Sequence, residues 1–172
     1  MSRVSRREVF TSLFGRKTKK IQNELCVIRP PYHQEGEDFE AQCVTCQETP
    51  CVHACEEKII ALSATQTPFL DFSKGGCTFC EACANVCDKE VLSLQENVNQ
   101  TFLNLDVAID MLSCMAWHQS LCNSCLDACQ ERAIVFLGLF RPQIEMQRCT
   151  GCGMCVHICP SDAIRVSIKE KA

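Results

Sequence analysis

Short apolar runs separated by turn-forming residues recur along much of the chain. One pair of runs covers residues 59–63 and 68–72, and a similar pair covers residues 133–137 and 141–146, on either side of Gly138. Runs of this length, bounded by turn residues, are typical of β-strands that pair as hairpins. The pattern therefore predicts two small hairpins.

The first fourteen residues have a helical pattern instead. Ser5 and Glu8 have the spacing of a capping box, and Gly15 is suited to end a helix. The apolar positions that would share one helical face are Val9, Phe10, Leu13 and Phe14. We expect a short amphipathic helix, which would either dock on a partner or a membrane surface or pack on its own domain.

Sixteen of the seventeen cysteines fall into four groups of four, and Cys26 is left over. The groups are, in order, Cys43, Cys46, Cys51 and Cys55; Cys77, Cys80, Cys83 and Cys87; Cys114, Cys122, Cys125 and Cys129; and Cys149, Cys152, Cys155 and Cys159. Their first cysteines are 34, 37 and 35 residues apart. In every group the last cysteine is followed by three residues and then two apolar ones. The chain is therefore predicted to contain four copies of one structural unit.

The spacing within the groups is that of iron–sulfur ligands. Groups two and four have the C-x2-C-x2-C-x3-C run of bacterial [4Fe–4S] ferredoxins. Group one widens one gap and group three widens its first gap, but both still supply four thiolates. We therefore predict four [4Fe–4S] clusters, or three if group three is empty, with all sixteen grouped cysteines as iron ligands. A zinc ribbon would use C-x2-C pairs without the additional cysteines.

Two other residue types near the groups bear on the same chemistry. His118 lies in the segment inserted into group three and could be a ligand, but an ordinary loop histidine is the favoured reading. Gly151 and Gly153 are expected to let the backbone run close to the cluster, where amide groups can bind its sulfurs.

The fourth cysteine of such a motif binds the second cluster of a pair, so the groups are expected to work in pairs. Strand, cysteine loop, short helix and strand follow one another twice along the chain, and this order favours pairing of neighbouring groups. Group one would pair with two and group three with four. Nested pairing, one with four and two with three, is the alternative, since residues 92–105 could also form a hairpin. We expect an α+β fold of two tandem ferredoxin-like modules, over residues 36–106 and 107–172. Residues 1–35 would form a basic arm, with Arg29-Pro30-Pro31 as a stiff extended joint.

Composition supports a protein stabilised by metal. Only 6% of the residues are aromatic, so side-chain packing alone buries little apolar surface. The odd number of cysteines excludes complete disulfide pairing within the chain. The arginines near the N-terminus are not followed by the apolar stretch of a signal peptide, and no apolar run is long enough to span a membrane. We therefore expect a cytoplasmic protein with reduced thiols.

The charge is unevenly distributed. The net charge is −4, but residues 1–20 contain seven Lys or Arg and one Glu, which leaves −10 for the remainder. A basic tail on an acidic body suggests a docking segment, a merely solvated tail being the alternative. The basic run is short and has only two aromatic residues, which argues against nucleic acid as the partner. The candidate docking residues are Arg6, Arg7, Val9, Phe10, Leu13 and Phe14.

The motifs taken together resemble the NapF-type ferredoxins of periplasmic nitrate reductase operons. The resemblance rests on Ser5-Arg6-Arg7, on the Ile-Arg-Pro-Pro-Tyr segment at residues 28–32, and on the four groups with their long-gapped third member. It implies a cytoplasmic iron–sulfur protein that contacts the catalytic subunit of the nitrate reductase before export. The implied role is maturation of that precursor, by electron supply or cluster assembly.

Three functional classes follow from these observations. The first is the accessory maturation protein, and the second is a general one-electron carrier between a dehydrogenase or quinol complex and an acceptor protein. The third is an electron-wire subunit fixed in a membrane complex. An enzyme with its own substrate is disfavoured, because the sequence has no Gly-rich phosphate loop and no arguable nucleophile–base pair.

Overall fold

Two β-hairpins lie where the apolar runs predict them in the computed structural model, which describes residues 27–33, 39–94 and 102–169. Strand β1 (Ile60–Leu62) pairs antiparallel with β2 (Pro68–Leu70), and β4 (Ile134–Phe136) pairs with β5 (Pro142–Ile144). The registers match as well, because Leu62 lies opposite Pro68 and Phe136 lies opposite Pro142. The two hairpins are therefore copies of one unit, as the sequence repeat indicates.

A third strand pair joins residues that are far apart in the sequence. Strand β3 (Leu105–Ile109) precedes group three and pairs antiparallel with β6 (Ile164–Ile168), which follows group four. Residues 27–33 take the corresponding place before group one. His33 forms a β-bridge with Leu92, and the Ser93 amide donates to the Tyr32 carbonyl oxygen at 2.8 Å. Each module is thus closed by contact between its first and last segments.

Each cysteine group contains one short helix that carries its third cysteine. These helices are Pro50–Ala54, Ala82–Asn85, Ser124–Ala128 and Met154–His157. Two further short elements, the helix Phe39–Cys43 and the 3-10 turn Ala116–His118, belong to groups one and three. The helix of group one packs on that of group two, and the helix of group three packs on that of group four. Neighbouring groups are therefore paired in space, and the fold is α+β with tandem ferredoxin-like modules.

The repeated pair of apolar residues after each fourth cysteine forms the base of every unit. The first residue of each pair is almost fully buried, and these residues are Ile59, Val91, Ala133 and Ala163. The second residues are buried too, and they are Ile60, Leu92, Ile134 and Ile164. Burial of apolar area is the main favourable contribution to folding, so this periodic pair anchors each cysteine loop to the core.

The Arg-Pro-Pro segment is packed inside the first module, whereas we expected it to be an extended joint beside that module. Pro30 and Pro31 are fully buried. Arg29 Nη1 donates to the Pro68 carbonyl oxygen at 2.9 Å, and its guanidinium lies 4.4 Å from the centroid of the Phe39 ring. The segment is therefore packed into the core of the first module, with an isolated β-bridge at His33.

The two modules share one apolar core. Its buried residues include Leu70 and Phe72 from the first module and Val107 and Ile164 from the second. The boundary that we expected between residues 106 and 107 falls inside β3. The predicted helix near the N-terminus, its docking residues and Cys26 lie outside the described residues. None of the described helices has the length and apolarity needed to span a membrane.

Candidate metal centres

The structure brings the sixteen grouped cysteines together as four sets of four. We number each site by the group that supplies three of its cysteines; the fourth comes from the neighbouring group. Site 1 comprises Cys43, Cys46, Cys51 and Cys87; site 2 comprises Cys77, Cys80, Cys83 and Cys55; site 3 comprises Cys114, Cys122, Cys125 and Cys159; and site 4 comprises Cys149, Cys152, Cys155 and Cys129. The arrangement matches the exchange expected for tandem pairing and does not match the nested alternative.

Three of the sites are visible as cavities between the thiols. The four cysteines of site 1 line one with an empty volume of about 440 Å³, partly open to solvent. The cavities at sites 2 and 4 each have an empty volume of about 380 Å³. At site 3 the thiols of Cys114, Cys122 and Cys159 are close enough to influence the pKa of Cys125. Cys114 itself is 8% exposed, so the widened spacing of group three does not remove it from the set.

A turn of constant geometry follows the fourth cysteine of every group. The third residue after that cysteine has a left-handed backbone, and its amide donates to the carbonyl oxygen of the cysteine. These residues are Lys58, Glu90, Arg132 and Asp162, with φ of 55°, 56°, 50° and 48°. In groups three and four the next amide, that of Ala133 or Ala163, donates to the cysteine sulfur at 3.3 or 3.2 Å. In these two groups the turn therefore places an amide against the cysteine sulfur, and it also directs the next side chain into the core.

Left-handed backbone at a residue other than glycine costs about 1–2 kcal/mol. The same left-handed conformation occurs at four equivalent turns although the residues differ. This indicates that the site imposes the geometry rather than the local sequence. Hydrogen bonds from amides stabilise the thiolate form of a cysteine, which is the form that binds metal.

Burial dominates the pKa values of the thiols. Burial and then the neighbouring Cys87 raise the pKa of Cys51 to about 11. Burial, and to a lesser extent the neighbouring Cys77, raise the pKa of Cys83 to about 12. Such thiols are protonated near neutral pH unless a positive centre holds them as thiolates. A bound metal supplies that centre, and its binding must release the protons.

The donor sets fit [4Fe–4S] clusters. Each consists of four cysteine sulfurs, which is the usual ligand set of such a cluster. Among the described residues, no three His, Cys, Asp or Glu side chains converge on the position of a single metal ion. A [4Fe–4S] cluster does not need such convergence, because its four irons each take one thiolate.

The loop inserted into group three, residues 115–121, is held by hydrogen bonds to other segments of the second module. His118 Nε2 lies 2.9 Å from the Leu112 carbonyl oxygen, and Trp117 Nε1 donates to the Pro142 carbonyl oxygen at 3.3 Å. His118 is thus engaged with the backbone just before Cys114, as expected for a loop histidine. Leu112, which precedes group three, and Leu121, at the end of the loop, are 87% and 85% exposed.

The glycines of group four have a packing role that the sequence did not indicate. A β-carbon at Gly151 would come within 2.8 Å of the Leu103 carbonyl oxygen, and one at Gly153 would overlap the Phe72 ring. Both glycines also have a left-handed backbone, with φ of 72° and 80°. They therefore let the second module's loop lie against the shared core, in addition to any approach to a cluster.

Comparison with known proteins agrees with the fold. Residues 120–163 match the family model of the 4Fe-4S dicluster domain. Fold, cysteine sets and this match define an iron–sulfur electron-transfer protein of the ferredoxin type, which carries [4Fe–4S] clusters and is not an enzyme.

Relatives define the family more narrowly. The chain is 32% identical over 165 residues to ferredoxin-type protein NapF of Escherichia coli (strain K12), covering 94% of this chain and 93% of the relative. Its identity to NapF of Haemophilus influenzae is 31% over 162 residues, covering 92% and 88%. Ferredoxin-type protein NapG of Haemophilus influenzae is 25% identical over 174 residues, covering 88% of this chain and 62% of the relative. The chain belongs to the NapF family of ferredoxin-type proteins.

Proposed function

We propose that the chain holds four [4Fe–4S] clusters, one at each site, with all sixteen grouped cysteines as iron ligands. The observation that carries this proposal is the exchange of the fourth cysteine between neighbouring groups, which gives every site four thiols. The clusters supply one-electron redox chemistry. The protein provides the thiolates, the amide hydrogen bonds to sulfur and the burial that together set the reduction potentials.

Metal analysis tests the cluster number. Anaerobically reconstituted protein should contain close to sixteen iron atoms and sixteen acid-labile sulfides per chain, from four clusters of four irons each. A value near twelve would mean that one site is empty, and the Cys114→Ser variant identifies whether it is site 3. If site 3 is filled in the parent protein, this variant loses about four iron atoms, whereas an already empty site leaves the iron content unchanged.

The proposed biological role is that of a cytoplasmic accessory protein in maturation of the periplasmic nitrate reductase. In this role it contacts the cytoplasmic precursor of the catalytic subunit before export and supplies electrons or assists cluster assembly there. Membership of the NapF family supports the role. The charge pattern supports it as well, since a basic arm on an acidic body provides a docking segment distinct from the redox sites.

Capture of the precursor tests the role and the arm together. Deletion of residues 2–20 should abolish capture of the precursor from anaerobic extracts and leave the iron content unchanged. Arg6→Gln with Arg7→Gln should weaken capture, while Arg6→Lys with Arg7→Lys, which keeps both charges, serves as the matched control. Undiminished capture by the deletion variant would contradict docking through the arm. Capture of a redox enzyme in place of the precursor would favour the general electron carrier.

A further inference from the structure

The cysteine loops of groups two and four touch each other directly. The Cys77 amide donates a hydrogen bond to the Cys152 carbonyl oxygen at 2.7 Å. Cys77 belongs to site 2 and Cys152 belongs to site 4, so this bond joins a cysteine of the first module to one of the second.

The contact is close because no side chain stands between the two loops. A β-carbon at Gly76 would clash with the Met154 amide nitrogen and come within 2.7 Å of the Cys152 carbonyl oxygen. Gly76 and Gly153 are both buried, and the Phe72 ring covers Gly153. A β-carbon at the adjacent Gly75 would meet only ordinary contacts, the nearest being Glu57 Oε2 at 3.4 Å.

Contacts within the modules continue this connection in both directions. In the first module site 1 takes Cys87 from group two, and the helix Pro50–Ala54 packs on the helix Ala82–Asn85. In the second module the helix Ser124–Ala128 of group three likewise packs on the helix Met154–His157 of group four. The sites are therefore connected in the spatial order 1, 2, 4, 3, which differs from their order along the chain.

We propose that the contact between Cys77 and Cys152 is the junction through which single electrons pass between the two modules. This inference rests on the proposed function, because it requires clusters at sites 2 and 4. One electron enters from a one-electron donor protein and leaves to a one-electron acceptor. At the junction the site that gives the electron is oxidised by one unit and the other is reduced by one, with no covalent bond formed or broken. The four sites then form one path whose ends are sites 1 and 3.

The test uses the full chain and the variant Gly76→Ala, with Gly75→Ala as the matched control. Both variants keep every cysteine. Amide hydrogen exchange reports whether the junction is open, and iron content reports whether the sites are filled. Low-temperature electron paramagnetic resonance of dithionite-reduced protein, with power saturation, reports the magnetic interaction between the reduced sites.

We expect the Cys77 amide to be protected from exchange in the parent protein and in Gly75→Ala, and to exchange severalfold faster in Gly76→Ala. If the iron content is unchanged, the magnetic relaxation of reduced sites in one module by reduced sites in the other should fall severalfold in Gly76→Ala. It should stay at the parent value in Gly75→Ala. If Gly76→Ala does not fold, Phe72→Ala takes its place, because it loosens the packing over Gly153 without touching a cysteine.

Each other outcome has a distinct meaning. An open junction with full iron content and unchanged magnetic interaction would overturn the proposed path. Equal protection of the Cys77 amide in all variants would overturn it as well, because the loops would then not be packed as the structure has them. Iron content well below sixteen in the parent protein would instead contradict the proposed cluster number.

Discussion

The Tyr32 hydroxyl donates a hydrogen bond to the Phe79 carbonyl oxygen at 3.0 Å. Phe79 lies between Cys77 and Cys80, so the bond ties the segment that precedes group one to the cysteine loop of group two. Tyr32 is 1% exposed, and its ring also helps to line the cavity of site 2. A residue that is remote in sequence thus supports the wall of a cysteine site.

Substitution of Tyr32 tests this support. Tyr32→Phe keeps the ring but leaves the Phe79 carbonyl without this donor, which we expect to lower the free energy of unfolding by about 1–3 kcal/mol. The measurement is the rate at which a chelator removes iron from the folded protein, which should rise relative to the parent. Trp117→Phe, which removes a hydrogen bond in the second module, is the control, and its site 2 should remain intact. Equal iron release from Tyr32→Phe and the parent would contradict the supporting role.

The position of Arg29 predicts a similar effect on the first module. Arg29→Ala removes both the hydrogen bond to Pro68 and the contact with the Phe39 ring, so we expect accelerated iron loss. The control is Arg165→Ala. Arg165 is exposed and pairs with Asp110 at 3.3 Å, and exposed ion pairs contribute only about 0–1 kcal/mol. If both variants lose iron at the parent rate, the Arg29 contacts do not stabilise the site.

The left-handed turn at Arg132 predicts opposite effects on stability for two substitutions of that residue. Arg132 has φ of 50°, and glycine adopts this conformation without strain. Arg132→Gly should therefore stabilise the turn by up to about 1 kcal/mol, while the β-branched Arg132→Val should destabilise it by more. Thermal unfolding followed by cluster absorbance measures both. The same direction of change for the two variants would argue against backbone strain as the cause.

Cluster insertion should depend steeply on pH. Burial raises the pKa of Cys51 to about 11 and that of Cys155 to about 12, so these thiols are protonated at neutral pH before metal binds. Thiols must lose their protons to bind iron, so insertion is disfavoured as the pH falls and favoured as it rises towards these pKa values. Reconstitution followed by absorbance should therefore proceed faster at pH 9 than at pH 7. A reconstitution rate that does not depend on pH would contradict the raised pKa values of these thiols.

Cys26 is predicted to be a free thiol. It lies outside the four groups, and the structure does not describe it. Cys26→Ser should retain the full iron content of the parent protein, which metal analysis checks. Cys87→Ser provides the contrast, because it removes a thiol of site 1 and should lower the iron content.

The features that the sequence predicts well are those encoded within each repeat. The two hairpins follow from apolar runs beside turn residues, and the pairing of neighbouring groups follows from the order of strands, cysteine loops and helices. Both depend on residues that are close together in the chain. Even the widened group three keeps Cys114 with its set, since the burial of Ala116 and Ala163 beside Cys114 holds that part of the loop in place.

The features that the sequence does not reveal depend on contacts between remote segments. Nothing in the spacing indicates that Leu105 pairs with Ile168, or that Pro30 and Pro31 are buried. Gly76 carries no motif, and its role emerges only from the loop that lies against it. The sequence does not indicate the left-handed turns either, because Lys, Glu, Arg and Asp occupy positions where glycine would have been the usual signal.

The exchange of fourth cysteines also determines when each site can be completed during synthesis. Site 1 has three of its cysteines by Cys51 but lacks its last until Cys87 has been made, and site 3 waits in the same way for Cys159. A chain that stops after group one would contain three cysteines of site 1 and one of site 2, and so no complete site. Both sites of a module can therefore be completed only once its second group has been made, and loss of one group would remove cysteines from two sites at once.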